Sequence, residues 1–220
     1  MCYPIGQKIK KDNYPYHVSH MTIILSIDTS TDACSIGLYT AVDNIQECFE
    51  IAPAQHTQLV LPQIHALLDK AGLFLSQVDA IAFGQGPGSF TGVRIASSVA
   101  QALGFGLQKP LIPVSGLRAI AQTAFVTKGY RQVLVTLDAR LQAVYWGLYR
   151  VNADNIMEAV QPDSVGKEAE AIAPDATWIK VTGQYPHARE IAQIGAYAYL
   201  RGETVSACDA VPVYVRDNVV

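Results

Sequence analysis

Residues 23–39, IILSIDTSTDACSIGLY, align without a gap on residues 133–149, VLVTLDARLQAVYWGLY. Five of the 17 aligned positions are identical: an aspartate, an alanine and a closing Gly-Leu-Tyr. In each stretch an aliphatic run ends at the aspartate, a polar turn follows and a second apolar run closes the segment, which is typical of a β-hairpin. The match predicts an internal duplication with one hairpin opening each half. A chance match between two similar hairpins is the alternative.

The segments after the two hairpins differ. The first half alternates strand and helix patterns, whereas the second has a weakly patterned polar segment, residues 151–173, before one strand and one strong helix. We expect that last helix to pack on the second sheet. The predicted elements are, in chain order, strands 23–27, 33–39 and 45–51, helix 56–71, strand 78–83, helix 89–107, strand 111–114, helix 117–126, the hairpin 133–149, strand 177–182 and helix 188–200. This order predicts an α/β fold.

Two strand–aspartate–turn–strand hairpins resemble the layout of the actin/hexokinase/Hsp70 ATPase superfamily. The resemblance implies a duplicated ribonuclease-H-like architecture, in which the hairpins face each other across a cleft that grips nucleotide phosphates. We predict three segments: residues 1–20 as a flexible arm or an over-called start, residues 21–130 as the first ribonuclease-H-like subdomain, and residues 131–220 as a reduced second subdomain.

The composition is that of a folded chain with a sizeable core. Half of the residues are hydrophobic and 16% are charged, and no apolar run approaches the ~18 residues of a membrane span. The first twenty residues lack the apolar centre of a secretory signal. Four scattered cysteines favour neither a disulfide framework nor a zinc site, so we predict a cytoplasmic protein. Its net charge of −3 predicts that any contact with tRNA by this chain alone is weak.

The hairpin aspartates, Asp28 and Asp138, are the first candidate site residues. In working ATPases of the superfamily, such aspartates help to position a metal and the attacking water, and neighbouring glycines let backbone amides approach phosphate. Here neither turn contains glycine, and Arg140 adds a long cationic side chain to the second turn. We therefore interpret Asp28, Asp138 and Arg140 as a degenerate cleft, in which the aspartates cap turns by Asx hydrogen bonds.

The segment 84–94, GQGPGSFTGVR, is the most distinctive motif. A phosphate-cradling loop at a helix N-terminus is one interpretation, although the Gly-Lys-Ser/Thr of a Walker A loop is absent. A nucleophilic Ser89 is another, but no histidine follows in a recognisable order. We favour a structural strand-to-helix loop with Ser89 as N-cap. Its residues are Gly84, Gly86, Pro87, Gly88, Ser89 and Arg94.

No metal or cofactor site is predicted. His56 and His65 are nine residues apart, which places them half a turn out of phase on one helix. They cannot both aim at one ion from a straight helix, and no H-E-x-x-H motif occurs.

The helix that follows the glycine-rich loop has almost no charge. Between Ala80 and Gln108 the single charged residue is Arg94. A surface helix normally shows a charged stripe, so we predict that a partner protein covers this helix and the helix 56–71. Val60, Ile64 and Ile95 are the proposed centres for a disruptive charge. The predicted partner-binding residues are His56, Leu59, Val60, Gln63, Ile64, Leu67, Ile95, Ser98, Val99 and Ala102.

Five segments together resemble the TsaB family: residues 27–35, 56–62, 84–94, 138–146 and 212–216. The resemblance covers residues 21–219 and implies a non-catalytic subunit of the complex that makes tRNA threonylcarbamoyladenosine. It implies a platform for a catalytic TsaD-like paralogue and a TsaE-like ATPase, acting on the adenosine 3′ of the anticodon in tRNAs that decode ANN codons. It also implies a homodimer when the chain is alone, and contact with tRNA only through the complex.

A comparison with the catalytic paralogue supports the non-catalytic interpretation. Where the paralogue carries the two metal-binding histidines of V-N-H-x-x-x-H, this chain has Gly116 and Ile120, which cannot coordinate a metal through their side chains. The alternatives are a small ATPase or kinase of the actin-like superfamily, or a peptidase acting on the paralogue.

Overall fold

The computed structural model describes residues 22–215, so the predicted arm, residues 1–20, lies outside the described residues. These residues form two five-stranded sheets and four α-helices. The elements are β1 Ile24–Asp28, β2 Ala33–Ala41, β3 Asn44–Ile51, α1 His56–Ala71, β4 Ala80–Gly86, α2 Phe90–Leu107, β5 Leu111–Ser115, α3 Gly116–Lys128, β6 Gln132–Asp138, β7 Ala143–Val151, β8 Met157–Ala159, β9 Ser164–Lys167, β10 Ile179–Val181 and α4 Ala188–Leu200.

The first sheet has the order β3-β2-β1-β4-β5, with an antiparallel meander followed by two strands parallel to β1. Side chains alternate between its faces, as the two-residue period of a strand requires. Leu25 and Ile27 point into the core beneath α1 and α2, whereas Ile24 points to the opposite face. Both faces of this sheet are therefore covered.

The second sheet repeats the first in a shorter form. Its order, β10-β6-β7-β8, places the second hairpin where the first sheet has β1 and β2, and β9 also pairs with β7. Where the first half has α1, the second half has only a 3₁₀ turn, Glu168–Glu170. The predicted fold class, a duplicated fold with a reduced second half, is confirmed. The strands β8 and β9 were not predicted because they are short and carry no clear apolar alternation.

Helix α4 lies on the first sheet, so the prediction that it packs on the second sheet is wrong. Ile191 and Ile194 join the apolar cluster on the face of Ile24. The start of the helix is fixed by two buried hydrogen bonds to the first hairpin: the amide of Ala188 donates to Ser35 Oγ at 2.8 Å, and Ser26 Oγ donates to the Ala188 carbonyl at 2.6 Å. The second sheet is covered instead by α3, through Leu117, Ile120 and Ala121.

Polar side chains of α3 form hydrogen bonds with the backbone of β8. Arg118 Nε donates to the Met157 carbonyl at 2.6 Å, and the Met157 amide donates to Gln122 Oε1 at 2.7 Å. Close by, Asp163 accepts hydrogen bonds from Ser115 Oγ of the first half and from the Tyr149 hydroxyl of the second. Buried hydrogen bonds therefore join the two halves.

Residues 204–215, which we name the C-terminal strap, cover one flank of α2. Val205 pairs with Leu111 as an antiparallel bridge, and the Val213 amide donates to the Gln85 carbonyl at 2.9 Å. Between these contacts, Gln101 Nε2 donates to the carbonyl of Ala210, which is fully buried. The chain itself thus covers part of the charge-poor helix, which the sequence analysis had assigned to a partner. No helix within residues 22–215 is long and apolar enough to cross a membrane.

Candidate functional site

Asp28 is fully buried inside the first half. It ends β1 with no exposed surface, and its Oδ1 accepts hydrogen bonds from both the amide and the hydroxyl of Ser30, each at 3.0 Å. This is the predicted Asx turn. Burial raises the pKa of Asp28 to about 7, because a carboxylate without water around it is costly. The carboxyl group is therefore held by its own turn and is partly protonated near neutral pH.

The glycine-rich loop is filled by the first hairpin turn. The Ser89 amide donates to the Ser30 carbonyl at 2.7 Å, and Thr29 Oγ1 donates to the Gly92 carbonyl at 2.7 Å. A Cβ atom on Gly88 would lie 2.3 Å from the Ser30 oxygen, and one on Gly92 would lie 1.9 Å from the Thr29 oxygen. Because these glycines have no Cβ atom, the first hairpin turn can pack directly against the glycine-rich loop. Ser89 Oγ accepts from the Gly92 amide at 3.1 Å, as predicted for an N-cap.

The second hairpin turn is open to solvent. The Arg140 amide donates to Asp138 Oδ1 at 2.8 Å, which forms the second predicted Asx turn. Arg140, Leu141 and Gln142 have φ angles of 61°, 53° and 59°, so three successive non-glycine residues adopt the left-handed conformation. Leu141 is 83% exposed at the tip. This conformation could not be predicted from the sequence, because none of the three residues is glycine or asparagine.

A cleft of about 1320 Å³ lies between the two turns. Asp138 and Arg140 line one wall, and Ser30 and Ser89 line the other, but Asp28 is not among the lining residues. The structure therefore brings together only part of the predicted degenerate cleft. Within residues 22–215, no group of three histidine, cysteine, aspartate or glutamate side chains is arranged to hold a metal ion.

The predicted docking residues divide into two groups. His56, Val60, Ile64 and Leu67 are buried, because this stripe of α1 faces the sheet. Assigning these four side chains to a free surface was wrong, and a charge at Val60 or Ile64 would disrupt the core. Of the other six, Ile95, Ser98 and Val99 line a groove between α1 and α2, and Ala102 is exposed on α2. Leu59 and Gln63 are half-buried, and Gln63 donates a hydrogen bond to Glu50 of β3.

A groove of about 370 Å³ runs between α1 and α2. Its rim carries Leu61 and Phe90, which are 57% and 55% exposed, and Phe105 near the end of α2 is 77% exposed. Leu61 was not among the predicted docking residues, because in the sequence it directly follows Val60 of the buried stripe. This exposed apolar patch is the candidate docking surface. The lining residues of the groove are Thr57, Val60, Leu61, Phe90, Thr91, Arg94, Ile95, Ser98 and Val99.

A second polar cluster, also missed by sequence analysis, holds the start of α4. Glu47 of β3 accepts hydrogen bonds from Ser35 Oγ at 2.7 Å and from the Arg189 amide at 3.3 Å, and it lies 3.1 Å from His187 Nδ1. The neighbouring Glu190 is buried; burial, with the charge of Glu47, raises its pKa to about 7. His187 lies 140 positions from Glu47 along the chain, so no local motif indicates the contact.

Comparisons with known proteins agree with this geometry. A family model described as TsaD, tRNA N6-adenosine threonylcarbamoyltransferase, matches residues 49–179. The chain is 35% identical to the tRNA threonylcarbamoyladenosine biosynthesis protein TsaB of Escherichia coli, over 89% of this chain and 95% of that protein. It is 34% identical to the TsaB protein of Haemophilus influenzae, over 89% and 94% of the two chains.

Solved structures show the same similarity. YeaZ from Pseudomonas aeruginosa is 38% identical to this chain, with a TM-score of 0.83 over 88% of this chain and 100% of that one. A second structure from the same organism, described as an uncharacterized protein with similarity to peptidase YeaZ, has a TM-score of 0.84 at 38% identity, over 89% and 100% of the two chains. The two sheets described above are thus shared with experimentally determined structures.

Proposed function

The chain belongs to the TsaB family of tRNA threonylcarbamoyladenosine biosynthesis proteins, and on that premise we propose that it serves this biosynthesis as a non-catalytic subunit. In this role it is a platform for a catalytic TsaD-like paralogue and a TsaE-like ATPase. The substrate is the adenosine 3′ of the anticodon in tRNAs that decode ANN codons. The chain itself contacts tRNA only through the complex, in keeping with its net charge of −3.

The observation that carries this proposal is that the glycine-rich loop, residues 84–94, is occupied by the chain's own first hairpin turn. A nucleotide-binding loop needs free backbone amides that point at the phosphates. Here the Ser89 amide is bonded to Ser30, and the Gly92 amide is bonded to the Ser89 hydroxyl. Asp28 is enclosed behind the same turn. Because these amides and Asp28 are already engaged within the chain, we favour a structural role for the first half.

The α1–α2 groove supports the proposed partner. The match to the TsaD family model includes residues of both helices, so a TsaD-like paralogue has a corresponding helix pair. Two such pairs can pack as a four-helix layer by ridges into grooves, burying roughly 1,200–2,000 Å². The same surface can pack on a copy of itself, so we also propose a homodimer when the paralogue is absent.

The two alternative functions have less support. A peptidase would need a nucleophile with an adjacent base, but the Ser89 hydroxyl acts as the cap of α2. An ATPase or kinase would need glycines in its hairpin turns so that backbone amides can approach phosphate, whereas the second turn has none and carries Arg140 beside the cleft. Neither alternative uses the exposed groove.

Reconstitution with purified proteins tests the proposal. The TsaD-like paralogue, the TsaE-like ATPase, an activated threonylcarbamoyl donor and an ANN-decoding tRNA are combined with or without this chain. We expect modified adenosine only when the chain is present, and full activity with Asp28→Asn. Equal modification without the chain, or loss of activity with a folded Asp28→Asn variant, would contradict the proposal.

A further inference from the structure

Among residues 22–215, Arg94 is the one charged residue that lines the groove between α1 and α2. Its guanidinium carbon lies 3.2 Å from the centre of the Phe90 ring and 5.1 Å from that of Tyr214 in the C-terminal strap. Nη1 also donates to the Phe90 carbonyl at 3.2 Å. These contacts fix the plane of a half-buried guanidinium at the groove, where cation–π stacking stabilises it without neutralising its charge.

No carboxylate pairs with Arg94 among residues 22–215. The ion pairs found there involve other cations, namely His65, Lys180, His187, Arg189 and Arg201. A guanidinium has five N–H donors, of which one is used for the Phe90 carbonyl. A protein seated on the groove would remove water from the others. Burying a cation in this way is strongly unfavourable unless an anion pairs with it.

In the homodimer proposed above, the facing helix pair offers Arg94 few anions, so we expect that assembly to be weaker than the one with the paralogue. Helix α2 contains no aspartate or glutamate, and α1 contains only Asp69, in its last turns. Asp69 already lies 3.1 Å from His65 Nδ1 on its own helix. The required carboxylate is therefore expected on a different protein.

We infer that the partner which docks on the α1–α2 groove presents a carboxylate to Arg94, so the groove selects an otherwise apolar helix surface with one acidic side chain. This inference rests on the proposed function and adds the recognition chemistry of its docking surface. A carboxylate can accept two parallel hydrogen bonds from the fork of a guanidinium, which gives direction as well as attraction. The pairing also explains why one arginine occurs in an otherwise uncharged segment.

The test is the dissociation constant of the full chain with the TsaD-like paralogue, measured by calorimetry at low and high salt. Arg94→Met keeps an apolar stem over Phe90 but removes the charge, and we expect ~30-fold weaker binding or more, with a smaller salt dependence. Arg94→Lys keeps the charge without the planar fork, so its affinity should lie between that of the wild type and that of Arg94→Met. Thermal melting of each variant verifies folding.

Three results would overturn the inference. One is an Arg94→Met variant that binds within about threefold of the wild type. Another is an unchanged salt dependence, which would mean that Arg94 acts only through packing. The third concerns Asp217, which lies outside the described residues but follows Tyr214 by three positions: if Asp217→Asn reproduces the loss, the carboxylate belongs to the chain itself. A wild-type chain that does not bind the paralogue would instead overturn the proposed function, and this inference with it.

Discussion

The carboxylate of Asp28 occupies the space that a side chain on Gly84 would need. A Cβ atom on Gly84 would lie 1.8 Å from Asp28 Oδ2. Asp28 ends β1, and Gly84 lies beside it in the parallel neighbour β4, two residues before that strand ends; both residues are buried. The glycine that begins the most distinctive motif therefore accommodates the chain's own aspartate.

Gly84→Ala should destabilise the fold by ~2–4 kcal/mol, because neither the buried carboxylate nor the strand can move away easily. Urea unfolding measures the change. Gly106→Ala is the matched control, since no atom lies within 4 Å of a Cβ at that helical position. It should leave stability unchanged or raise it by up to ~1 kcal/mol. Similar losses of stability in Gly84→Ala and Gly106→Ala would contradict this explanation. So would a double variant, Gly84→Ala with Asp28→Ala, whose loss of stability equals the sum of the two single losses.

Stability should fall as pH rises from about 5 to about 8. Burial raises the pKa of both Asp28 and Glu190 to about 7, whereas unfolded carboxyl groups titrate near ~4. The folded state binds these protons more tightly, so the stabilisation is complete at low pH and is lost as pH rises through about 7. We expect a decrease of roughly 5 kcal/mol in the free energy of unfolding, because each of the two groups contributes about 1.4 kcal/mol per pH unit below its folded pKa.

The variant Glu190→Gln separates the contribution of one carboxyl group to this pH dependence. It should flatten the slope of stability against pH, whereas Glu203→Gln, at an exposed position, should leave the slope as in the wild type. Denaturant unfolding at a series of pH values gives the slopes. A Glu190→Gln variant with the wild-type slope would show that Glu190 does not titrate in this range.

Glu47 should be needed to hold the start of α4. Glu47→Ala removes the acceptor for Ser35 and for the Arg189 amide, leaving buried donors unpaired, and we expect a loss of ~1–3 kcal/mol. Amide hydrogen exchange should rise at the first turn of α4. The control is Glu50→Ala, since Glu50 is exposed and accepts a hydrogen bond from Gln63. Unchanged exchange in Glu47→Ala would show that the apolar contacts of α4 suffice.

Sequence patterns predicted the parts of the fold that depend on local structure. The two hairpins, the helices α1 to α3 and the N-cap Ser89 follow from strand alternation, helical spacing and capping preference, which act over a few residues. The Asx turns at Asp28 and Asp138 were predicted for the same reason. The repeated hairpin also predicted a duplicated fold with a reduced second half, whereas the order of the strands in each sheet comes from the structure.

The features that sequence patterns missed depend on contacts distant along the chain. The placement of α4 depends on Glu47 and Ser35, which lie 142 and 153 positions before the α4 residues that they contact. The C-terminal strap has no regular secondary structure, so the flank of α2 that it covers was assigned to a partner. Periodicity identified the apolar stripe of α1, but it could not show that Val60 and Ile64 face the sheet while Leu61 faces outward.

The central claim is that the outer surface of α1 and α2 docks the TsaD-like paralogue, and its most direct test is binding after a charge is placed there. Leu61→Glu and Ser98→Glu alter exposed positions on the two helices, and Ile179→Glu, on the exposed edge strand β10, is the control. All three variants should fold as the wild type does. Calorimetry should show binding weakened by at least ~100-fold for the two helix variants and unchanged binding for Ile179→Glu, because each helix variant puts a charged side chain into the apolar contact and competes with the partner's carboxylate for Arg94. Wild-type affinity in both Leu61→Glu and Ser98→Glu would contradict the claim and place the docking surface elsewhere.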